Sequence, residues 1–176
     1  MLKYTICFIK RGDELLLLNR ERAPWMGIWN GVGGKLEPGE TPDRSILREI
    51  REETGIELAS VRFKGLVTWL TDGSRYGGMY TYLGEVAPSF PYPTPRPTEE
   101  GLLDWKAIDW ILHPSNQGVA ANIPLFLPLL LNDSRCYDHF CTFTGNRITQ
   151  FVSNEINPEA EHDEKLLAPL REAALR

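Results

Sequence analysis

A chain of 176 residues, 42% hydrophobic and 24% charged, has the length and composition of one globular domain with its own core. Its net charge of −5 makes it a poor nonspecific binder of polymeric nucleic acid, since such binding rests on Lys and Arg neutralising phosphates, and its apolar runs, such as residues 15–18, are too short to span a bilayer. The three cysteines, Cys7, Cys136 and Cys141, are odd in number and lack framework spacing, which excludes a disulfide scaffold and points to packing roles in a reducing, cytoplasmic setting.

Residues 4–10 and 14–20 predict two strands joined by a turn at Arg11-Gly12-Asp13. The first shows no secretory pattern, since its apolar run is short and meets Lys10 and Arg11 at once. Residues 21–35, rich in Gly and Trp, predict loop. A helix should begin near Thr41, with Thr41 as its cap, Pro42 in its first position and Gly55 as its stop. Residues 61–71 and 79–87 are β-rich and aromatic and predict a hairpin around Asp72-Gly73-Ser74. Residues 88–98 carry five prolines and cannot form a central strand; they read as a polyproline-like surface insertion or as a stiff rim beside a pocket. A strand over 102–107, a short apolar helix over 123–131 and a hairpin of 137–143 with 147–153, turning at Gly145-Asn146, complete the body. In the tail, Leu166, Leu167, Leu170 and Ala174 fall at helical spacing and would pack on the body or on a second subunit. The expected organisation is one domain over 1–156 and a C-terminal helical extension over 157–176, in a monomer or homodimer. Mixed strands with helices on the faces imply an α/β sandwich.

The chemistry concentrates in residues 34–56. At about 100° per residue, Glu49, Glu52 and Glu53 share one narrow helical stripe beside the apolar stripe of Ile46, Leu47 and Ile50. Like charges at these spacings repel by about a few tenths of a kcal/mol each. One Arg48 does not offset three carboxylates, whereas a divalent cation does, and hard oxygen ligands suit Mg²⁺ or Mn²⁺. Alone, an acidic run is an ordinary solvated face. The loop before it adds Gly33-Gly34, which lets backbone approach a ligand and frees a carbonyl. Glu40 can meet Arg48 across the loop–helix junction, and Lys35 can reach a phosphate oxygen as a point charge.

This segment resembles the Nudix box, G-x5-E-x7-R-E-U-x-E-E-x-G-U with U aliphatic. Gly34, Glu40, Arg48, Glu49, Ile50, Glu52, Glu53, Gly55 and Ile56 meet every fixed position. The resemblance implies the Nudix α/β/α sandwich with a mixed sheet. It implies that Glu49, Glu52 and Glu53 bind Mg²⁺, with Mn²⁺ as the alternative, assisted by the Gly34 carbonyl. The metal would withdraw charge from a phosphoryl oxygen and acidify a water, and a carboxylate would take its proton. The family often adds one Glu from a later loop. Glu100, next to Glu99 and just before the strand at 102, matches that place, both as a further ligand and as a catalytic group; a plain loop carboxylate is the other reading.

The run Trp29-Asn30-Gly31-Val32-Gly33-Gly34-Lys35 is similar to that of the MutT-type nucleoside triphosphatases, which hydrolyse oxidised purine nucleotides to monophosphate and pyrophosphate. That resemblance makes Asn30 a reader of the purine edge. Trp25, Trp29 and Trp69 offer stacking surfaces or core packing, and Arg20 a phosphate contact or a solvated strand end. Members that accept several oxidised purines carry a Trp-Pro-Asp-Asp run before the apolar helix. Here residues 119–123 stand there, so Asn122 replaces a base-reading Asp and the Trp is absent. Rival readings are hydrolysis of another nucleoside diphosphate derivative such as ADP-ribose, a noncatalytic Nudix regulator, and an RNA 5′-end pyrophosphohydrolase. The full set of box carboxylates opposes the regulator, and the acidic charge opposes the RNA enzyme.

Overall fold

The computed structural model describes residues 2–23 and 25–175. Its strands are β1 (Tyr4–Arg11), β2 (Glu14–Arg20), β3 (Trp29–Asn30), β4 (Arg62–Thr71), β5 (Arg75–Val86), β6 (Arg96–Pro97), β7 (Gly101–Ala107), β8 (Cys136–Thr144) and β9 (Arg147–Ile156). The helices are α1 (Pro42–Thr54), α2 (Ile108–Ile111), α3 (Ile123–Asn132) and α4 (Ala168–Ala174), with two 3₁₀ turns over Pro158–Glu161 and Glu164–Leu166.

One mixed sheet runs in the order β6-β7-β2-β1-β5-β4-β8-β9, with β3 paired to β2. The pairs β1·β5 and β4·β8 are parallel and the rest antiparallel. Because side chains alternate along a strand, each central strand feeds two cores. Cys7, Ile9, Leu16 and Leu18 meet Ile46 and Ile50 of α1 on one face. Ile6, Phe8, Leu15 and Leu17 meet Ile123, Phe126 and Leu127 of α3 on the other. This is the expected α/β sandwich with helices on both faces.

Most elements lie where the sequence places them. Gly55 ends α1 in the left-handed conformation at φ 74°, its N–H donating to the Arg51 carbonyl. Thr41 has the extended backbone of an N-cap, yet its side chain makes no capping hydrogen bond, so Pro42 and the preceding turn set the start of α1. The proline-rich segment stays at the sheet edge, contributing only the two-residue β6. It is anchored rather than loose. Tyr92 is buried against Trp105, and its hydroxyl donates to the Thr54 carbonyl at 2.7 Å, closing the C-terminal end of α1.

The tail forms two 3₁₀ turns and the short α4 in place of one continuous helix. Ala160 and Leu167 are buried in the α1-side core, with Leu166 and Leu170 packed against it, so the tail lies on the body of its own chain. The three cysteines are free and buried. No helix among the described residues is long and apolar enough to cross a membrane.

Candidate active site

The loop between β3 and α1 is pinned to β1 by backbone bonds. Thr5 N–H donates to the Gly34 carbonyl at 2.9 Å, Cys7 and Val32 exchange bonds at 2.7 and 3.0 Å, and Leu36 N–H donates to the Lys3 carbonyl. Gly33 sits at φ 150°, where a Cβ would stand 2.2 Å from the Thr5 carbonyl oxygen. No side chain fits there without moving the strand. A Cβ on Gly34 would instead stand 2.5 Å from the carboxylate of Glu49. The second glycine therefore leaves room for an acidic side chain.

Arg48 organises the acidic face. Its Nε and Nη2 donate to the two oxygens of Glu40 at 3.0 and 2.9 Å, and its Nη1 donates to Glu49 at 2.9 Å and Glu52 at 3.1 Å. Nη2 also reaches the Lys35 carbonyl at 3.2 Å. All five guanidinium hydrogens thus point at acceptors in the loop or helix. The charge-assisted bonds to Arg48 hold the Glu40 carboxyl below its usual range.

The remaining carboxylates are less well compensated. Burial, then repulsion from Glu52 and Glu40, raises the carboxyl of Glu49 despite Arg48. Glu53 points inward and accepts from the Gly33 N–H at 3.0 Å. Burial, aided by the charges of Glu49 and Glu100, pushes it up to about 8. The ligand atoms of Glu49, Glu52 and Glu53 do not all lie within 4.8 Å of one another, because Arg48 draws two of them aside. Glu100 faces this group from the loop before β7. It pairs with Arg20 at 3.5 Å, and its carbonyl accepts from the Glu21 N–H. Among the described residues the Arg20 Nε, sealed from solvent, has no partner.

Asn30, half-buried on β3, accepts from its neighbouring Gly31 N–H at 2.8 Å through Oδ1. Among the described residues its amide nitrogen donates no hydrogen bond. Trp29 binds the following chain segment on both sides: its N–H donates to the Gly118 carbonyl and its carbonyl accepts from Ala120. That places Asn122, half-buried at the start of α3 and making no capping bond, on the segment beside β3. Lys35 is exposed at the rim and bridges Tyr4 through its backbone.

Of the three tryptophans considered for stacking, Trp29 has Lys106 over its ring at 4.2 Å, and the indole of Trp69 fills the space above Gly77. Trp25 is 44% exposed. Lys106, also paired with Asp104 at 2.8 Å, is a site neighbour that the sequence pattern did not flag. It reaches Trp29 only because β7 pairs with β2, a contact carrying no local sequence signal.

Residues 2–123 match the NUDIX domain family. The uncharacterised Nudix hydrolase YvcI of Bacillus subtilis (strain 168) is 34% identical over 108 residues, 61% of this chain and 66% of that protein. The NAD-capped RNA hydrolase NudC of Haemophilus influenzae is 37% identical over 75 residues, 42% of this chain and 28% of its own length. Among solved structures, the mutator MutT protein of Bacillus halodurans superposes with a TM-score of 0.72 at 24% identity, over 88% of this chain and 98% of that one. A MutT Nudix hydrolase from Burkholderia pseudomallei does so at 0.57 and 26% identity, over 73% of this chain and 97% of that one. Since the family match runs through β1 to the start of α3 and contains the whole acidic loop–helix, the chain belongs to the Nudix family.

Proposed function

We propose that this chain is a divalent-metal-dependent pyrophosphohydrolase that cleaves purine nucleoside triphosphates, oxidised purines among them, to monophosphate and pyrophosphate. The observation that carries this reading is the continuity of β3 with the box loop. Asn30, whose amide nitrogen has no partner among the described residues, stands four residues before Gly34, whose missing Cβ makes room for Glu49. A base contact and a phosphate-facing acidic cradle thereby lie on one short, strand-anchored segment.

The donor set fits a hard cation. Glu49, Glu52 and Glu53 supply oxygens on one helix face, Glu100 faces them across the site, and the Gly34 carbonyl has a lone pair left after accepting from Thr5. When bound, Mg²⁺ or Mn²⁺ supplies charge withdrawal from the phosphoryl oxygen and an acidified water. To hold a cation, Glu49 and Glu52 would give up their bonds to Arg48, which Glu40 keeps in place. Glu53, pushed up by burial and its acidic neighbours, is suited to hold and release a proton near neutral pH. Arg20 and Lys35 bring positive charge to the rim for the phosphates, and Asn122 joins Asn30 at the base. Residues 1–156 form the hydrolase domain and 157–176 an extension packed on it. The protein works on a soluble nucleotide in the cytoplasm, as a monomer or homodimer, without polymeric nucleic acid or membrane.

A second reading has its own support. NudC relatives act on NAD-capped RNA, and the Nudix domain of NrtR from Shewanella oneidensis is known with ADP-ribose, at a TM-score of 0.57. Both compounds hold a diphosphate between two sugars. A hydrolysis panel with Mg²⁺, containing dGTP, 8-oxo-dGTP, dATP, dCTP, ADP-ribose and NAD⁺, tests the assignment. Release of pyrophosphate from purine triphosphates at the highest kcat/KM is expected. Preferred cleavage of ADP-ribose or NAD⁺ would replace this reading with the second one.

A further inference from the structure

Away from the box, a second group of metal-ligating side chains converges. Asp43, in the first turn of α1, meets Glu161 and His162 of the extension, and one ligand atom from each lies within 4.8 Å of the others. The donors come from segments 118 residues apart (43 to 161), so local chain geometry does not account for the convergence. We propose that Asp43, Glu161 and His162 bind a divalent transition-metal ion of the zinc class, which fastens the extension to the first turn of the helix bearing the Nudix carboxylates.

Three features point to a cation. Asp43 Oδ1 is sealed from solvent and accepts no hydrogen bond among the described residues. A buried carboxylate oxygen left in that state costs more than about 1 kcal/mol, so it calls for a partner. An acidic residue in a first helical turn is favoured by the helix dipole, but that leaves the sealed oxygen unexplained.

Next, Asp43 and Glu161 bring two negative charges together, and among the described residues neither pairs with a Lys or Arg. The one cationic candidate is His162, whose Nε2 stands 3.5 Å from Glu161 Oε2. Finally, the other Glu161 oxygen accepts from the Tyr82 hydroxyl at 2.9 Å. Tyr82 is fully buried on β5, so it fixes the carboxylate as outer hydrogen bonds fix metal ligands.

One imidazole nitrogen and two carboxylate oxygens suit zinc and its neighbours, with a fourth position left to water. The box offers only oxygen and suits Mg²⁺. The two sites are therefore separable by choice of metal. Donors around one zinc ion stand about 3–3.5 Å apart, and the exposed His162 side chain can swing to close the difference.

The test is equilibrium dialysis of the full chain against Zn²⁺, with excess Mg²⁺ to occupy the box. Wild type is compared with His162→Ala and Asp43→Asn. Wild type should hold one Zn²⁺ that both variants lose or bind at least tenfold more weakly. Zn²⁺ should raise the melting temperature of wild type and not of the variants. Co²⁺ in place of Zn²⁺ should give a visible absorption band that His162→Ala abolishes. His162 is exposed, so that variant keeps its fold, which circular dichroism and unchanged Mg²⁺-supported hydrolysis verify. Equal Zn²⁺ stoichiometry and affinity in all three proteins overturns the proposal, as does a wild type that holds no Zn²⁺ under excess Mg²⁺.

Discussion

Glu40 and Arg48 form a two-pronged pair, Nε to Oε1 at 3.0 Å and Nη2 to Oε2 at 2.9 Å, with the two side chains only 15% and 17% exposed. The remaining guanidinium nitrogen is thereby aimed at Glu49 and Glu52. The pair acts on the acidic face at one remove.

Arg48→Lys should therefore behave as a damaging change. An ammonium cannot bridge both oxygens of Glu40 while reaching Glu49 and Glu52. We expect about 10–100-fold lower kcat/KM with weaker Mg²⁺ dependence, and an unfolding free energy lower by about 1–3 kcal/mol. Mg²⁺ titration of activity and urea denaturation measure the two effects. Wild-type metal affinity in this variant would remove Arg48 from its positioning role.

Glu53→Gln should separate chemistry from stability. Glu53 is already held largely protonated by burial and by Glu49 and Glu100, and a Gln oxygen can still accept from the Gly33 N–H. Activity should fall at least about 100-fold, while melting in EDTA matches wild type or rises slightly. A melt well below wild type would make Glu53 a structural residue.

The two glycines should fail differently. Gly33→Ala meets strand backbone at 2.2 Å, so it should destabilise the fold by about 2–4 kcal/mol. Gly34→Ala meets the movable end of Glu49, so it should weaken Mg²⁺ activation with a smaller loss of stability. Paired melts and Mg²⁺ titrations of both variants decide, and the reverse ranking would show that the loop is misplaced.

Adjacent residues on β8 titrate in opposition. Burial pushes Asp138 up to about 6, although Thr68 donates to it at 2.7 Å. Burial, with the nearby charge of Lys64, lowers His139 from 6.5 to about 4, the ring stacked against those of Phe126 and Phe151. Asp138 raises the folded state's proton uptake between pH 3.8 and about 6, so its contribution to stability falls as pH rises there. His139 does the reverse between about 4 and 6.5, where the unfolded chain binds more protons. The two slopes nearly cancel. Asp138→Asn removes the Asp138 slope and leaves that of His139, so its stability should rise by about 3 kcal/mol more than that of wild type between pH 4 and 6.5. Urea unfolding across that range measures it, and an unchanged pH profile would mean that Asp138 is not held protonated.

The long strands, α1 and both hairpins were legible because their signals are local: alternation, turn residues, and Pro42 and Gly55 at the helix ends; the two-residue β3 and β6 fell in segments read as loop, since only their pairing to β2 and β7 makes them strands. The Glu40–Arg48 pair was legible for the same reason, since eight residues across one turn and a helix start leave little freedom. The capping role of the Thr41 side chain did not hold, because Pro42 fixes the entry without it. Lys106 over Trp29, Glu100 against Arg20, and Asp43 beside Glu161 all depend on which strands and segments become neighbours. No periodicity encodes those contacts. The tail's apolar residues were legible as buried, but not their division into two 3₁₀ turns and a short helix.

The Tyr92 hydroxyl takes up the carbonyl of Thr54, the residue directly after Glu53. An insertion that reads from sequence as decoration is thus a tether on the last turn of the acidic helix. Shortening residues 88–98 would tug on the end of α1 and tilt Glu52 and Glu53 away from Glu100. Loop length at the sheet's edge is therefore a dial on the geometry of the acidic site, and loop grafts between relatives at this point should carry a change of metal affinity with them.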